Sequence, residues 1–398
     1  MNILHVGTGN MFGGVEQNLL TLARAARYCP EMTPHFVACF EGRLLDDLRA
    51  ANASCHRLND MRGRTLKHVI SNRTRLRKLQ ESLKVETIVY HSLWSWALLG
   101  VGLRSRARTA LWFHDAVQQV HLTEQICRLQ MPDTIIANSA YTASTVSKIY
   151  RAARPQIVHP PVCDSAQNGE PTVTRHLRES LKTAAEDVVI VQVSRLERYK
   201  GQKLHIEALA KLRHLNGWKA WLVGGIQRSC EISYLEELQN MVLRLGLEDH
   251  VHFLGQRSDV PNILAAADIH CQPNIGPEPF GLTFVEAMSA GLPVVTTRIG
   301  AAPEIVNSDC GILVEPNDSA ALAEALRTLI VDPVRRSQLG IEARLRAKEI
   351  CDPGKRLRDL LEILKMDRMS ARRNGQERRE SRSRPPFSRS SALTRDSD

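Results

Sequence analysis

Aromatic residues make up only 5% of this 398-residue chain. Because no recognised nucleic-acid module accompanies them, the scarcity argues against a protein that stacks bases. No run reaches the ~18 consecutive apolar residues needed to span a bilayer. The nearest, Leu93–Leu103, is too short and reads as a buried helix. The opening MNILHVGTG has no basic stretch ahead of an apolar one, so it is expected to be a first strand and not a signal peptide. The nine cysteines are scattered, their number is odd, and none stands in a CxxC or Cys/His cluster. That pattern suits a reducing compartment, with cysteine serving as a small apolar residue, and the expected address is cytoplasmic. The D-x-D triplet Asp396–Asp398 closes a polar terminus. A metal site needs a rigid frame, so no metal and no other cofactor is expected.

At this length two domains are expected, and 43% hydrophobic content is enough to pack them. The formal charge of +10 is unevenly spread. The last 27 residues, Arg372–Asp398, carry eight Arg against four acids in a Ser- and Pro-rich context, which reads as a disordered basic tail. A second concentration, Arg57–Lys78, sets eight Arg or Lys against the single acid Asp60. It reads either as a solvated helix face or as a patch for an anionic membrane surface.

The chain opens with an apolar run, a glycine-rich loop and a helix pattern, as a doubly wound α/β domain does. Strand-like runs at 35–40, 87–92, 110–115 and 134–139 continue the alternation to about Tyr150. A Pro-rich stretch follows. A second series then starts at 188–194 and repeats at 221–225, 251–255, 268–272, 293–297 and 311–315. The expected division is a Rossmann-like domain over 1–155, a linker over 156–186, a second such domain over 187–350, a helical segment over 351–370 and the tail over 371–398. Ligands of open α/β sheets collect at the carboxyl ends of the strands, so the cleft between two such domains is the expected site.

The segment 277–295, PEPFGLTFVEAMSAGLPVV, is the most informative in the chain. Pro279 and Gly281 keep Glu278 in a loop, whereas Glu286 falls about one turn into a helix. The amides between them are free at the helix N-terminus, which suits a phosphate. One segment thus offers two carboxylates for sugar hydroxyls and a cradle for a diphosphate. A second loop, Ser194–Gly201, follows the first strand of the second series and places Arg195 and Lys200 five positions apart. A guanidinium fork and an ammonium point charge hold diphosphate oxygens well. In the first half, Gly13 and Gly14 precede a helix, where bare backbone can approach a ligand. Phe12 stands where a G-x-G-x-x-G fingerprint would need its third glycine. Glu16 reads equally as a first-turn charge or as a group facing the cleft on the acceptor side. His114 and Asp115 end a strand, and Gly255 ends another, where its backbone can meet a nucleobase.

These segments resemble the E-x7-E, SRL-x-x-x-KG and GG-x-E elements of retaining glycosyltransferases of family 4 ("glycosyl transferases group 1"), which include sucrose synthases and bacterial mannosyltransferases. The resemblance covers about residues 1–365. It implies the GT-B architecture, two Rossmann-like doubly wound domains facing a central cleft. It also implies transfer of a sugar from a nucleoside-diphosphate donor to an acceptor hydroxyl with retention, in polysaccharide, lipopolysaccharide or glycolipid synthesis. By the same resemblance Glu278 and His114 contact the transferred sugar, Arg195 and Lys200 bind the diphosphate, and Glu286 binds the ribose. Gly13, Gly14 and the backbone of Phe280, Gly281 and Leu282 approach the donor. The implied partners are a nucleotide-sugar and a saccharide or lipid-linked acceptor, with no nucleic acid. A non-hydrolysing nucleotide-sugar epimerase on the same scaffold is the alternative.

Overall fold

A computed structural model describes residues 1–8, 13–59, 66–103, 105–163 and 170–366. The tail, its Asp396–Asp398 triplet, Phe12 and residues 60–65 of the basic cluster lie outside the described residues.

Among the described residues thirteen strands form two sheets in which every recorded pairing is parallel. The first contains β1 (Asn2–Gly7), β2 (Thr33–Ala38), β3 (Ser54–Arg57), β4 (Thr87–Tyr90), β5 (Arg108–Phe113), β6 (Thr134–Ala137) and β7 (Gln156–Ile157), in the order β3-β2-β1-β4-β5-β6-β7. The second contains β8 (Val188–Val193), β9 (Trp218–Val223), β10 (Val251–Gly255), β11 (Ile269–Gln272), β12 (Val294–Thr297) and β13 (Gly311–Val314), in the order β10-β9-β8-β11-β12-β13. Most of the strands are largely apolar because helices cover both faces of each sheet. Successive side chains alternate between two cores: Ile3 enters one, Leu4 and Val6 the other. In the second domain Val188 and Ile190 part in the same way from Val189 and Val191.

Two strands escaped the sequence pattern. β3 is polar and lies at an edge, and β7 is only two residues long. The stretch 156–186 is therefore not only a linker. It supplies β7 to the first sheet and the helix Pro171–Ser180, whose Arg178 ion-pairs with Asp268 of the second domain at 2.7 Å. Leu93–Leu103 folds as a short helix, Leu93–Ser95, running into a π turn, Trp96–Gly100, with Trp96 fully buried.

The last helical region is broken at Asp352. The helix Pro333–Cys351 packs on the second domain, whereas Leu357, Leu360, Leu361 and Leu364 of the following helix join Ile3, Leu22 and Phe36 in a core of the first. The chain thus crosses between domains twice, and the crossings touch where Val162 N–H donates to the Cys351 carbonyl at 3.0 Å. Among the described residues no helix is long and apolar enough to cross a membrane.

Candidate active site

The loop after β11 is held from three sides. Gln272 and Asn274 are buried, and their amides both donate to Glu278 Oε2, at 3.3 and 3.1 Å. The Ala301 N–H donates to the Glu278 carbonyl at 2.8 Å. Ser139 and Thr142, from the first domain, donate hydroxyl bonds of 2.6 and 3.1 Å to the Pro279 carbonyl. Glu304 reaches back and accepts the Ala140 and Tyr141 amides at 2.7 and 2.6 Å. The two domains therefore meet at the loop that carries Glu278.

Lys200 completes this cluster. Its ammonium lies 2.6 Å from Glu278 Oε2, with both side chains largely buried. Burial works against the lysine charge, but the Glu278 carboxylate and Tyr199 outweigh it, and the Lys200 pKa lies above the ordinary value. Oε1 of Glu278 makes no bond to a described residue and is the oxygen left for a ligand. Arg195, on the same loop as Lys200, is half-buried and pairs with Glu197 at 3.0 Å.

Gly281 caps the helix Leu282–Ser289 at φ 93°, where a Cβ would meet the Phe284 ring at 2.3 Å. Gly281 therefore turns the chain sharply into that helix. The Leu282 and Thr283 amides behind it have no partner among the described residues. Phe280 is buried in the core beside Phe284, so only its backbone is available to a ligand.

Glu286, the fifth residue of that helix, is half-buried, and its carboxylate makes no bond to a described residue. Burial pushes its carboxyl up to about 7. An unfolded chain would ionise it near ~4.3. Between these values the folded protein keeps a proton that the unfolded chain releases, so stability falls as pH rises through that window. Above it the penalty reaches at most ~4 kcal/mol, less what solvent at the exposed edge returns. Glu286→Gln is therefore expected to raise the melting temperature by several degrees at pH 8 and to leave it nearly unchanged at pH 4, as a pH series of melting curves would record. Equal gains at both pH values would refute a desolvated carboxylate.

On the first-domain side, Gly13 caps the helix Gly14–Ala25, and its N–H donates to Glu16 at 3.2 Å, so Glu16 serves as a cap. A Cβ on Gly14 would stand 3.4 Å from the Leu282 side chain, which brings the glycine pair to the mouth of the second-domain helix. His114 is buried just beyond β5. Asp115, the next residue, is exposed, yet desolvation by the surrounding cleft walls still raises its carboxyl pKa. Arg195 and Lys200 oppose that rise, whereas Glu278 and Glu197 add to it. Asp115 thus faces the cationic loop across the cleft, a placement its sequence context did not reveal. Gly255, at φ 64°, accepts the Gly224 amide at 2.9 Å through its carbonyl, which keeps a second lone pair.

Gln272, Asn274, Ser139, Thr142 and Glu304 carried no motif signal. Gln272 and Asn274 lie only a few residues before Glu278 and were findable by proximity; the others are brought in by the opposite domain.

Residues 173–346 match the family described as "Glycosyl transferases group 1". The chain is 32% identical over 229 residues to a D-inositol 3-phosphate glycosyltransferase of Corynebacterium jeikeium, covering 55% of this chain and 54% of that protein. It is 30% identical over 223 residues to a GDP-mannose-dependent alpha-(1-6)-phosphatidylinositol monomannoside mannosyltransferase of Mycolicibacterium smegmatis, covering 53% and 56%. The matched region is thus about half the length of these curated relatives. Among solved structures, Anabaena Alr3699/HepE in complex with UDP and glucose superposes with a TM-score of 0.79 at 25% identity, covering 92% of this chain and 100% of that one. Two parallel sheets with their motif-bearing loops at the shared cleft, matched in fold over most of the chain, give this protein the GT-B fold, and its residues 173–346 match the glycosyl transferases group 1 family.

Proposed function

We propose that this protein is a retaining hexosyltransferase that moves a sugar from a nucleoside-diphosphate donor to the hydroxyl of a saccharide or lipid-linked acceptor. The observation that carries this reading is the buried Lys200–Glu278 pair at 2.6 Å, which joins the two motifs at one point in the cleft. Oε1 of Glu278 and the imidazole of His114 orient the sugar. The Leu282 and Thr283 amides, Arg195 and Lys200 receive the diphosphate, and Glu286 binds the ribose. As the bond from the anomeric carbon to the phosphate oxygen breaks, the acceptor oxygen bonds to that carbon from the same face. The acceptor proton passes to the departing phosphate. Arg195 and Lys200 meet the charge that develops there, so the reaction is expected to proceed without a divalent metal.

Melting curves with UDP, GDP and ADP, without added metal, test the reading. One of them at 100 times its Kd should add ~2.7 kcal/mol of stability. If none shifts the transition, the proposal falls. Anomeric proton signals of the product, formed only when an acceptor is present, then decide retention and separate transfer from epimerisation.

The acceptor side supports a membrane setting. The helix Leu66–Ser82 exposes Leu66 and Ile70 beside Lys67, Arg77 and Lys78. Each such cation near an anionic surface contributes about 1 kcal/mol. The protein is expected to sediment with anionic vesicles at low salt, and the triple replacement of Lys67, Arg77 and Lys78 by Glu to remain in the supernatant. Equal partitioning of both proteins would remove the membrane from the account.

A further inference from the structure

Three imidazoles cross the first sheet in a line that ends at the cleft. His5 lies on β1, His91 just beyond β4 and His114 just beyond β5, and these three strands are neighbours. The register pairs His5 with Val89, and Tyr90 with Leu111. Each histidine therefore stands two residues closer to the carboxyl edge than the one before it. A step of two keeps all three side chains on one face. His5 Nδ1 lies 2.9 Å from His91 Nε2, and His91 Nδ1 lies 2.9 Å from His114 Nε2. Trp112 packs against both His91 and His114, and Phe36 stacks on His5, so the rings are fixed in place.

Burial lowers the pKa of each ring, that of His5 and His114 to about 3. Each is therefore neutral at physiological pH, with one N–H and one lone pair. Two N–H directions satisfy the line. If it runs inward from His114, it ends in an N–H at His5 Nε2, a buried atom without a partner. If it runs outward, only a lone pair is left there, and orphaned buried donors are rarer than orphaned acceptors. The outward direction has His5 donate to His91 and His91 to His114. His114 Nδ1, which no described residue engages, then carries the N–H that faces the cleft.

We propose that His5 and His91 are positioning residues for the transfer reaction, holding His114 in its Nδ1–H tautomer so that it donates a hydrogen bond to a hydroxyl of the donor sugar. This rests on the glycosyltransferase reading above. It gives the sugar one fixed donor, His114, and one fixed acceptor, Glu278. A neutral donor also places no positive charge beside a sugar that turns cationic as its bond breaks.

Ring-nitrogen correlation spectra of the full-length protein labelled with 15N-histidine test this, with His114 assigned by its replacement. The expected result at pH 7 is a neutral His114 protonated at Nδ1, whose signals move when the nucleotide-sugar binds. In His91→Phe, His114 should become a mixture of tautomers. Its kcat/KM for the nucleotide-sugar should fall about tenfold, the equivalent of one hydrogen bond, while Kd for the nucleoside diphosphate stays unchanged. A cationic His114, an Nε2–H tautomer, or an unaltered kcat/KM in His91→Phe overturns the relay and leaves the glycosyltransferase reading intact. If calorimetry finds no nucleotide-sugar binding although Nδ1 carries the proton, the parent reading fails, and the sugar-directed role of the relay fails with it.

Discussion

Lys200→Met is expected to lower kcat by roughly 10²–10³, the loss typical of one preorganised group that meets transition-state charge. It is also expected to destabilise the protein. From the sequence alone, Lys200→Ala would be expected to lower kcat by orders of magnitude and leave the fold intact. The structure corrects that expectation, because Lys200 neutralises Glu278 in a largely buried pair. Without the ammonium, the carboxylate keeps only the Gln272 and Asn274 amides. Removing one member of a buried pair costs about 3–5 kcal/mol. The double variant Lys200→Met/Glu278→Gln removes the uncompensated charge, and its amide oxygen still accepts from Gln272 and Asn274. It should recover most of the lost stability and none of the activity. A double-mutant cycle on chemical denaturation, run beside steady-state kinetics, separates the two effects. Additive stability losses would deny the pair, and a near-normal rate for Lys200→Met would remove Lys200 from the chemistry.

The same pair marks the boundary of what the sequence makes legible. Both of its motifs stand out locally, because glycine, proline and charge at fixed offsets are short-range signals. Valine-rich runs such as Val188–Val193 and Val294–Thr297 likewise declare the parallel strands of a covered sheet. That Lys200 and Glu278 touch is another matter, since they lie 78 residues apart. The contact follows from β11 lying beside β8, a strand order that no offset encodes. The imidazole line is hidden for the same reason, being assembled from β1, β4 and β5. Glu16 had two equal readings that composition could not separate; the bond from Gly13 N–H adds a capping contact at the helix start to both. The last helix packs on the first domain through leucines whose periodicity announces a helix but not its destination.

Gly201→Ala is expected to damage the site as severely as the loss of Lys200, without touching a charge. Gly201 follows Lys200 directly and caps the helix Gln202–Lys211 at φ 73°, a conformation that costs an L-residue about 1–2 kcal/mol. The larger obstacle is spatial. A Cβ there would lie 1.8 Å from the Pro273 carbonyl oxygen, so one of the two backbones must move. The loops cannot easily give way. The Ile275 N–H donates to the Tyr199 carbonyl at 2.8 Å, and the Gln192 amide holds the Lys200 carbonyl at 2.8 Å. Separating them draws Lys200 away from Glu278, and a displacement of about 1 Å in a positioned group can cost 10²-fold in rate. Gly201→Ala should therefore lose several kcal/mol of stability together with about 10²-fold in kcat, while Gly217→Ala serves as the control. Gly217 has φ 74° but nothing within 4 Å of its Cβ position, so it carries the backbone penalty alone. If the two alanine variants melt and turn over alike, the close approach of the loops does not set the geometry of the site. If only Gly201→Ala loses activity, one missing methyl group is what lets the cation of the first loop reach the carboxylate of the second.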